Sequence, residues 1–215
     1  HNLHSLFIEL ALYDELIFTP SSKFKLSANC ANNIQLSLDN TNLISRAYKL
    51  IRQMAGSVSS EYTVHLKKVI PIGSGLGGGS SNAANTLKAL NELWELNYSP
   101  NKLETIGAKL GSDVPFFIRG GFQLAEGVGE KLTPQDNQIL HGLHFLLIIP
   151  PFHISTPDAY RSLNKPLRTV ENHSKFVSVS EPVNWQLFDN DFEKVFRKTY
   201  PEIGDIKENL QGAGA

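Results

Sequence analysis

The chain has 215 residues, 41% of them hydrophobic, with 20 basic and 21 acidic side chains and a net charge of −1. That length supports one large domain or two modest ones around real cores, and the near-neutral charge, without a run of Lys or Arg, argues against a nucleic-acid partner. No apolar stretch reaches the ~20 residues of a membrane span, and the single Cys30 excludes an internal disulfide framework and suits a reducing compartment.

Residues 1–18 set Leu6, Ile8, Leu10 and Leu12 in alternation with Phe7, Glu9, Ala11 and Tyr13. This predicts a strand, a turn at Tyr13 to Glu15, and a second strand through Leu16 to Phe18. Phe24 to Ala28 and Ile34 to Leu38 read as two further short strands. Asp39 to Asn42 caps a helix from Leu43 to about Ala55, with Leu43, Ala47, Leu50, Ile51 and Met54 as its apolar stripe. Strands, helix, strand and helix in this order predict an α+β layer. Tyr62 to Ile70 is a strand whose Tyr62, Val64 and Leu66 alternate with Thr63, His65 and Lys67, so one face is buried.

The stretch from Pro71 to Ala84 follows. Five of the 16 glycines fall between positions 73 and 79. A helix is expected from Ser80 to Leu96, where Ala83, Leu87, Leu90 and Trp94 repeat at helical spacing. Strand, glycine loop and helix together aim free backbone N–H groups at an anion. No charged side chain occurs from Val69 to Leu87, and the helix start carries Ser80, Ser81 and Asn82 where Asp or Glu is usual. A phosphate is the expected guest. The plainer alternative, a turn with Ser80 or Ser81 as N-cap, accounts for one serine and one glycine but not for the run. A Walker A loop is excluded, because no Lys follows Gly79 until Lys88. Gly73, Gly75 and Gly78 fit G-x-G-x-x-G, but no second strand with an acidic end follows, and a half-exposed strand is unlike a parallel Rossmann strand.

Ser99 and Pro100 open the next helix, with the stripe Leu103, Ile106 and Leu110 and an end at Gly111. Asp113 is the only acid between Glu104 and Glu126. Flanked by Val114, Pro115, Phe116 and Phe117, it is expected where water is scarce, either as an N-cap or as a functional carboxylate. Gly120 and Gly121, and Gly127 to Glu130, bracket a strand from Phe122 to Glu126 as tight turns. His141 and His144 lack a third ligand at useful spacing for a metal. Phe145 to Ile149 reads as an apolar strand, with a domain boundary near Leu143. A bend at Pro150 and Pro151 leads to a helix from Ser155 through Tyr160 to Leu163. Lys165 to Pro182 is polar and irregular, Trp185 to Tyr200 is amphipathic, and Pro201 starts a last helix over Glu202 to Leu210.

Pro71 to Ala84 resembles the second motif of the GHMP kinases (galactokinase, homoserine, mevalonate and phosphomevalonate kinases). The triple glycine before Ser80 is similar to the branch that phosphorylates a cytidine diphosphate-linked methylerythritol in non-mevalonate isoprenoid (isopentenyl diphosphate) synthesis. Gly111 to Phe117 and Gly127 to Glu130 resemble further segments of that branch. The resemblance implies an α+β two-domain GHMP kinase fold. Its ATP-binding domain, ribosomal protein S5 domain 2-like, would span 1–143, and a truncated ferredoxin-like α+β domain would span 144–215. It also implies a small-molecule kinase using ATP and Mg²⁺, without a metal site of its own. Pro71, Ile72, Gly73, Ser74, Gly75, Leu76, Gly77, Gly78, Gly79, Ser80 and Ser81 would hold the ATP, with Ser80 or Ser81 at the Mg²⁺ and Asn42 near the adenine. Asp113 would be the catalytic base on the substrate hydroxyl, and His1 and Tyr160 would bind the cytosine. The plain readings are a terminal residue for His1, an N-cap for Asn42 and a half-buried tyrosine for Tyr160. Two rival functions are another kinase of the superfamily with a different alcohol, and a non-catalytic nucleotide-binding module. By the same resemblance, an N-terminal strand whose lysine acts with the catalytic Asp precedes His1, and a third glycine motif follows Gly214 and Ala215. The expected location is cytoplasmic and bacterial-type, with a lost plastid transit peptide left open by the start at His1.

Overall fold

A computed structural model describes residues 3–30, 36–58, 60–150, 154, 159, 161–163 and 190–214. The chain falls into two compact units, 1–138 and 139–215. Leu143 lies inside the second.

Among the described residues, the first unit contains two three-stranded sheets. One has the order β1-β5-β6, from β1 (Leu3–Ile8), β5 (Phe122–Gly127) and β6 (Lys131–Pro134), all antiparallel, with Leu6 opposite Leu124. The other has the order β2-β4-β3, from β2 (Glu15–Ser21), β3 (Lys25–Cys30) and β4 (Glu61–Lys68). Here β4 runs antiparallel to β2 and parallel to β3, with Leu66 facing Leu16 and Val64 facing Leu26. A parallel neighbour requires a crossover, and α1 (Leu43–Met54) supplies it. Helices α2 (Gly78–Leu93), α3 (Pro100–Gly107) and α4 (Val114–Arg119) complete the unit.

The period of two in β4 decides which face is covered. Tyr62, Val64 and Leu66 are buried, as their alternation predicts, and so is Lys68, next in the same phase. Against this face pack Ala47, Tyr48 and Ile51 of α1 and Ala83, Leu87 and Leu90 of α2. Asn42 caps α1 as expected, accepting from Ile44 N–H at 2.9 Å. The buried side of α1 is rotated from the expected stripe, onto Ile44, Ser45, Ala47, Tyr48 and Ile51, with Leu43, Leu50 and Met54 only partly covered. Tyr48 explains the shift. Its ring stacks on Phe24, and its hydroxyl donates to Glu61 Oε2 and accepts from Tyr62 N–H, both at 2.8 Å. A hydroxyl with both roles filled is buried at little cost. Trp94, at the foot of α2, donates from Nε1 to the Ser60 carbonyl at 2.8 Å.

Several elements depart from their expected bounds. Residues 36–38 are not strand, and 34–35 lie outside the described residues. Helix α3 stops at Gly107, four residues before Gly111, and the amides of Ala108 to Gly111 after it donate back to the Glu104, Ile106 and Gly107 carbonyls through a turn. Phe145 to Ile149 are exposed and form no strand, so an apolar run without alternation did not define one. In the second unit the helices α5 (Glu193–Thr199) and α6 (Glu202–Gly212) are joined by a Lys207–Glu193 ion pair at 2.7 Å. Residues 185–189 and the segment 164–182 lie outside the described residues, as do 155–158 and 160 of the expected Ser155 helix. No helix among the described residues is long and apolar enough to cross a membrane.

Leu87 is wholly buried between α1, α2 and the sheet. Leu87→Ala should therefore cost about 2–5 kcal/mol, read from urea unfolding monitored at Trp94. A loss below about 1 kcal/mol would show that this core is not packed as described.

Candidate active site

The glycine stretch leaves β4 at Lys68 and enters α2 at Gly78, two residues earlier than expected. Gly77, not a serine, holds the N-cap position. It has a left-handed backbone (φ +67°) and no side-chain cap bond. The serine-cap alternative therefore fails. The Ser81 N–H donates to the Gly77 carbonyl at 2.8 Å as the first helical rung. The amides of Gly78, Gly79 and Ser80 precede it and have no carbonyl one turn back to bond. No acid lies in this first turn. The result is an uncharged, N–H-rich helix entrance, which suits an anion.

Two of these glycines are required by close contacts. A Cβ on Gly77 would stand 2.6 and 2.7 Å from Cε2 and Cζ of Phe117, and one on Gly78 would stand 2.9 Å from Cγ2 of Ile70. At Gly77 the left-handed φ adds its own penalty.

The loop and Asp113 line one cavity of about 490 Å³ in the first unit. Gly75, Leu76, Gly77 and Ser81 contribute from the loop side, and Asp113 and Phe117 from α4 and the turn before it. Asp113 sits at the N-cap position of α4, but its side chain makes no cap bond, which removes that structural role. Its Oδ1 accepts from Ser112 Oγ at 3.2 Å. It is half-buried rather than sealed from water, because it lies on the cavity wall and not under the phenylalanines that follow it. The Gly127–Glu130 turn passes beside it, with a Cβ on Gly129 falling 3.8 Å from Asp113 Oδ1.

The other expected site residues divide. Pro71, Ile72, Gly73, Ser74, Gly78, Gly79 and Ser80 belong to the loop and helix start but do not line the cavity. Ser80 Oγ faces Gly111 instead. Asn42 is engaged at both polar ends, donating from Nδ2 to the Ser37 carbonyl at 2.7 Å while it caps α1. The next residue, Leu43, comes within 3.3 Å of where a Cβ on Gly79 would be, so the starts of α1 and α2 lie side by side. His1 and Tyr160 lie outside the described residues. Among the described residues, no cluster of three His, Cys, Asp or Glu side chains could hold a metal.

Asp14, Lys68 and Phe117 escaped the sequence reading. Asp14 and Lys68 form an ion pair at 2.7 Å, with side chains 1% and 4% exposed. Lys68 also donates to the Ile70 carbonyl. Burial pushes the Asp14 carboxyl up, but hydrogen bonds from Lys68 and from the Ile70 and Val69 amides outweigh it and hold the group below its usual value. The inward phase of β4 could have flagged Lys68. Nothing local could have paired it with Asp14.

Residues 42–121 match the family model described as the GHMP kinases N terminal domain. A 4-diphosphocytidyl-2-C-methyl-D-erythritol kinase of Prosthecochloris aestuarii is 37% identical, covering 100% of this chain and 75% of its own length. The kinase of the same name from Thermodesulfovibrio yellowstonii is 39% identical, at 100% and 76%. A crystal structure of 4-(cytidine 5'-diphospho)-2C-methyl-D-erythritol kinase superposes with a TM-score of 0.73 at 29% identity, covering 100% of this chain and 75% of that one. A homoserine kinase from Cytophaga hutchinsonii shares the fold, with a TM-score of 0.56 at 19% identity over 72% of this chain and 52% of its own. This chain belongs to the GHMP kinases, an ATP-dependent class acting on small molecules, and within them to the 4-diphosphocytidyl-2-C-methyl-D-erythritol kinase family.

Two measurements test this geometry. Gly77→Ala should destabilise the protein by about 1–3 kcal/mol through its backbone alone, and Phe117→Leu in the same chain should relieve only the steric remainder; a neutral Gly77→Ala in urea unfolding would contradict the left-handed cap. For Asp14, whose folded value lies below its unfolded 3.8, the stabilisation is complete above pH 3.8 and is lost as pH falls below it through the folded value. The difference in unfolding free energy between the wild type and Asp14→Asn should be flat from about pH 7 to about pH 4 and shrink below that. A difference that persists unchanged at about pH 2.5 would rule out the buried carboxylate.

Proposed function

We propose that this protein transfers the γ-phosphoryl group of ATP to the 2-hydroxyl of 4-diphosphocytidyl-2-C-methyl-D-erythritol, in isoprenoid synthesis in the cytoplasm. The observation that carries the reading is that the glycine loop and Asp113 line one and the same cavity. The substrate assignment follows the names of the full-coverage relatives.

The amides between Gly73 and Ser81 receive the ATP phosphates, aided by the positive end of α2. Asn42 lies near the adenine. The Asp113 carboxylate accepts the proton of the acceptor hydroxyl as that oxygen bonds to the γ-phosphorus. The bond to the bridging oxygen breaks, and ADP leaves with the electron pair. Such a transfer asks little covalent chemistry of the protein, so placement and electrostatics carry the rate. The donor set fits Mg²⁺ that arrives with the phosphates, since this ion keeps most of its waters and needs few protein ligands. Of the two candidate serines, Ser81 lines the cavity, and its hydroxyl would hold the ion, which supplies charge neutralisation on the phosphate oxygens. His1 and Tyr160 take the cytosine.

Asp113→Asn should leave ATP affinity within about threefold while kcat falls by about 10²–10⁴. Unchanged turnover would remove Asp113 from the chemistry. CDP should compete with the alcohol substrate, and a failure to compete would point to a different alcohol.

A further inference from the structure

We infer that Asp14 is a positioning residue for the nucleotide: its carboxylate pins both ends of the glycine loop together, so that the loop amides present one fixed arrangement to the phosphates. This rests on the loop being the phosphate cradle.

Oδ1 accepts from the Val69 and Ile70 amides at 2.7 and 2.8 Å, the last residues before the loop. Oδ2 accepts from Lys68 Nζ at 2.7 Å and from Asn82 Nδ2 at 3.0 Å, just inside α2. Residues 71–81 therefore run between two anchor points on one carboxylate. Asp14 comes from the connection that leads into β2, 54 positions or more from every partner, so its clasp is not a by-product of local chain geometry. Gly78 closes the same knot, because a Cβ there would meet Ile70 at 2.9 Å and Lys68 Nζ at 3.1 Å. Asp14 itself reaches the cavity wall.

The charge arithmetic fits the role. An unpaired lysine here would compete with the loop amides for phosphate, and an unpaired carboxylate would repel it. The closed pair leaves the amides as the attracting groups. Only an ionised carboxylate can accept all four bonds, since an amide in its place turns a donor toward Lys68 and Asn82.

The test titrates a non-hydrolysable ATP analogue by calorimetry against the wild type, Asp14→Asn and Asn82→Ala, with circular dichroism on the same samples. Asp14→Asn should weaken analogue binding about tenfold or more and Asn82→Ala about threefold to tenfold, as expected for lost bonds to a charged acceptor. KM for the alcohol should stay within about twofold. A merely structural role would lower the binding stoichiometry at an unchanged Kd. That result, or an unchanged Kd at full stoichiometry, overturns the inference. If Asp14→Asn does not fold, Asn82→Ala decides by the same criteria, because it leaves the ion pair in place. Binding is read without turnover, so a wild type that binds the analogue but phosphorylates no alcohol sinks the proposed reaction and leaves the inference standing.

Discussion

Lys68 points inward because the alternation of β4 leaves it no other face, and the rest of the site depends on how that charge is handled. An isolated buried ammonium is strongly unfavourable, and deleting one member of a buried pair typically costs about 3–5 kcal/mol. Asp14 meets the requirement, and its remaining lone pairs are filled by the amides of Val69 and Ile70 and by Asn82. A strand periodicity of two thus forces a long-range contact, and the contact falls at the point where the chain leaves the sheet for the glycine loop.

Beyond that point the chemistry is mostly backbone. The first turn of α2 has no acid, its cap is a left-handed glycine, and its early amides precede the first rung. The start of α1 lies alongside, fixed by Asn42. Asp113 sits at the N-cap position of α4 with, among the described residues, only Ser112 as a hydrogen-bonded neighbour, so it remains available to a guest in the cavity. The uncharged Gly75, Leu76, Gly77 and Ser81 on one wall, next to the helix entrance, and one carboxylate on another form an arrangement suited to holding an anion beside a hydroxyl.

Much of this was legible in the residues. The alternation of Tyr62, Val64 and Leu66 gave the buried face of β4, and the spacing of Ala83, Leu87, Leu90 and Trp94 gave that of α2. The caps Asn42 and Ser99 were readable because they act within three residues of themselves. The errors came where distant partners decide. The face of α1 turned to bury Tyr48, whose hydroxyl is satisfied from β4. The start of α2 moved to Gly78 because a glycine took the cap that a serine could have filled. Asp113 was expected to be sealed by its phenylalanines, yet it stays half-buried on the wall of a cavity that Phe116 and Phe117 also line. Asp14 looked like one acid in a turn, and its value shows only once residues 54 and more positions away are brought against it.

The contact between Gly77 and the Phe117 ring has a consequence for how this kind of site can diversify. The bare α-carbon on one wall touches an aromatic ring three residues past the start of α4, so the ring works as a spacer between the loop and the helix that Asp113 leads. Neither wall can move inward, and neither can retreat without opening a void at the ring. A site that came to accept a bulkier or slimmer alcohol would keep this gap and reshape the rest of the lining, where Leu6, Ile8, Leu10 and Leu12 contribute from β1 and the segment after it.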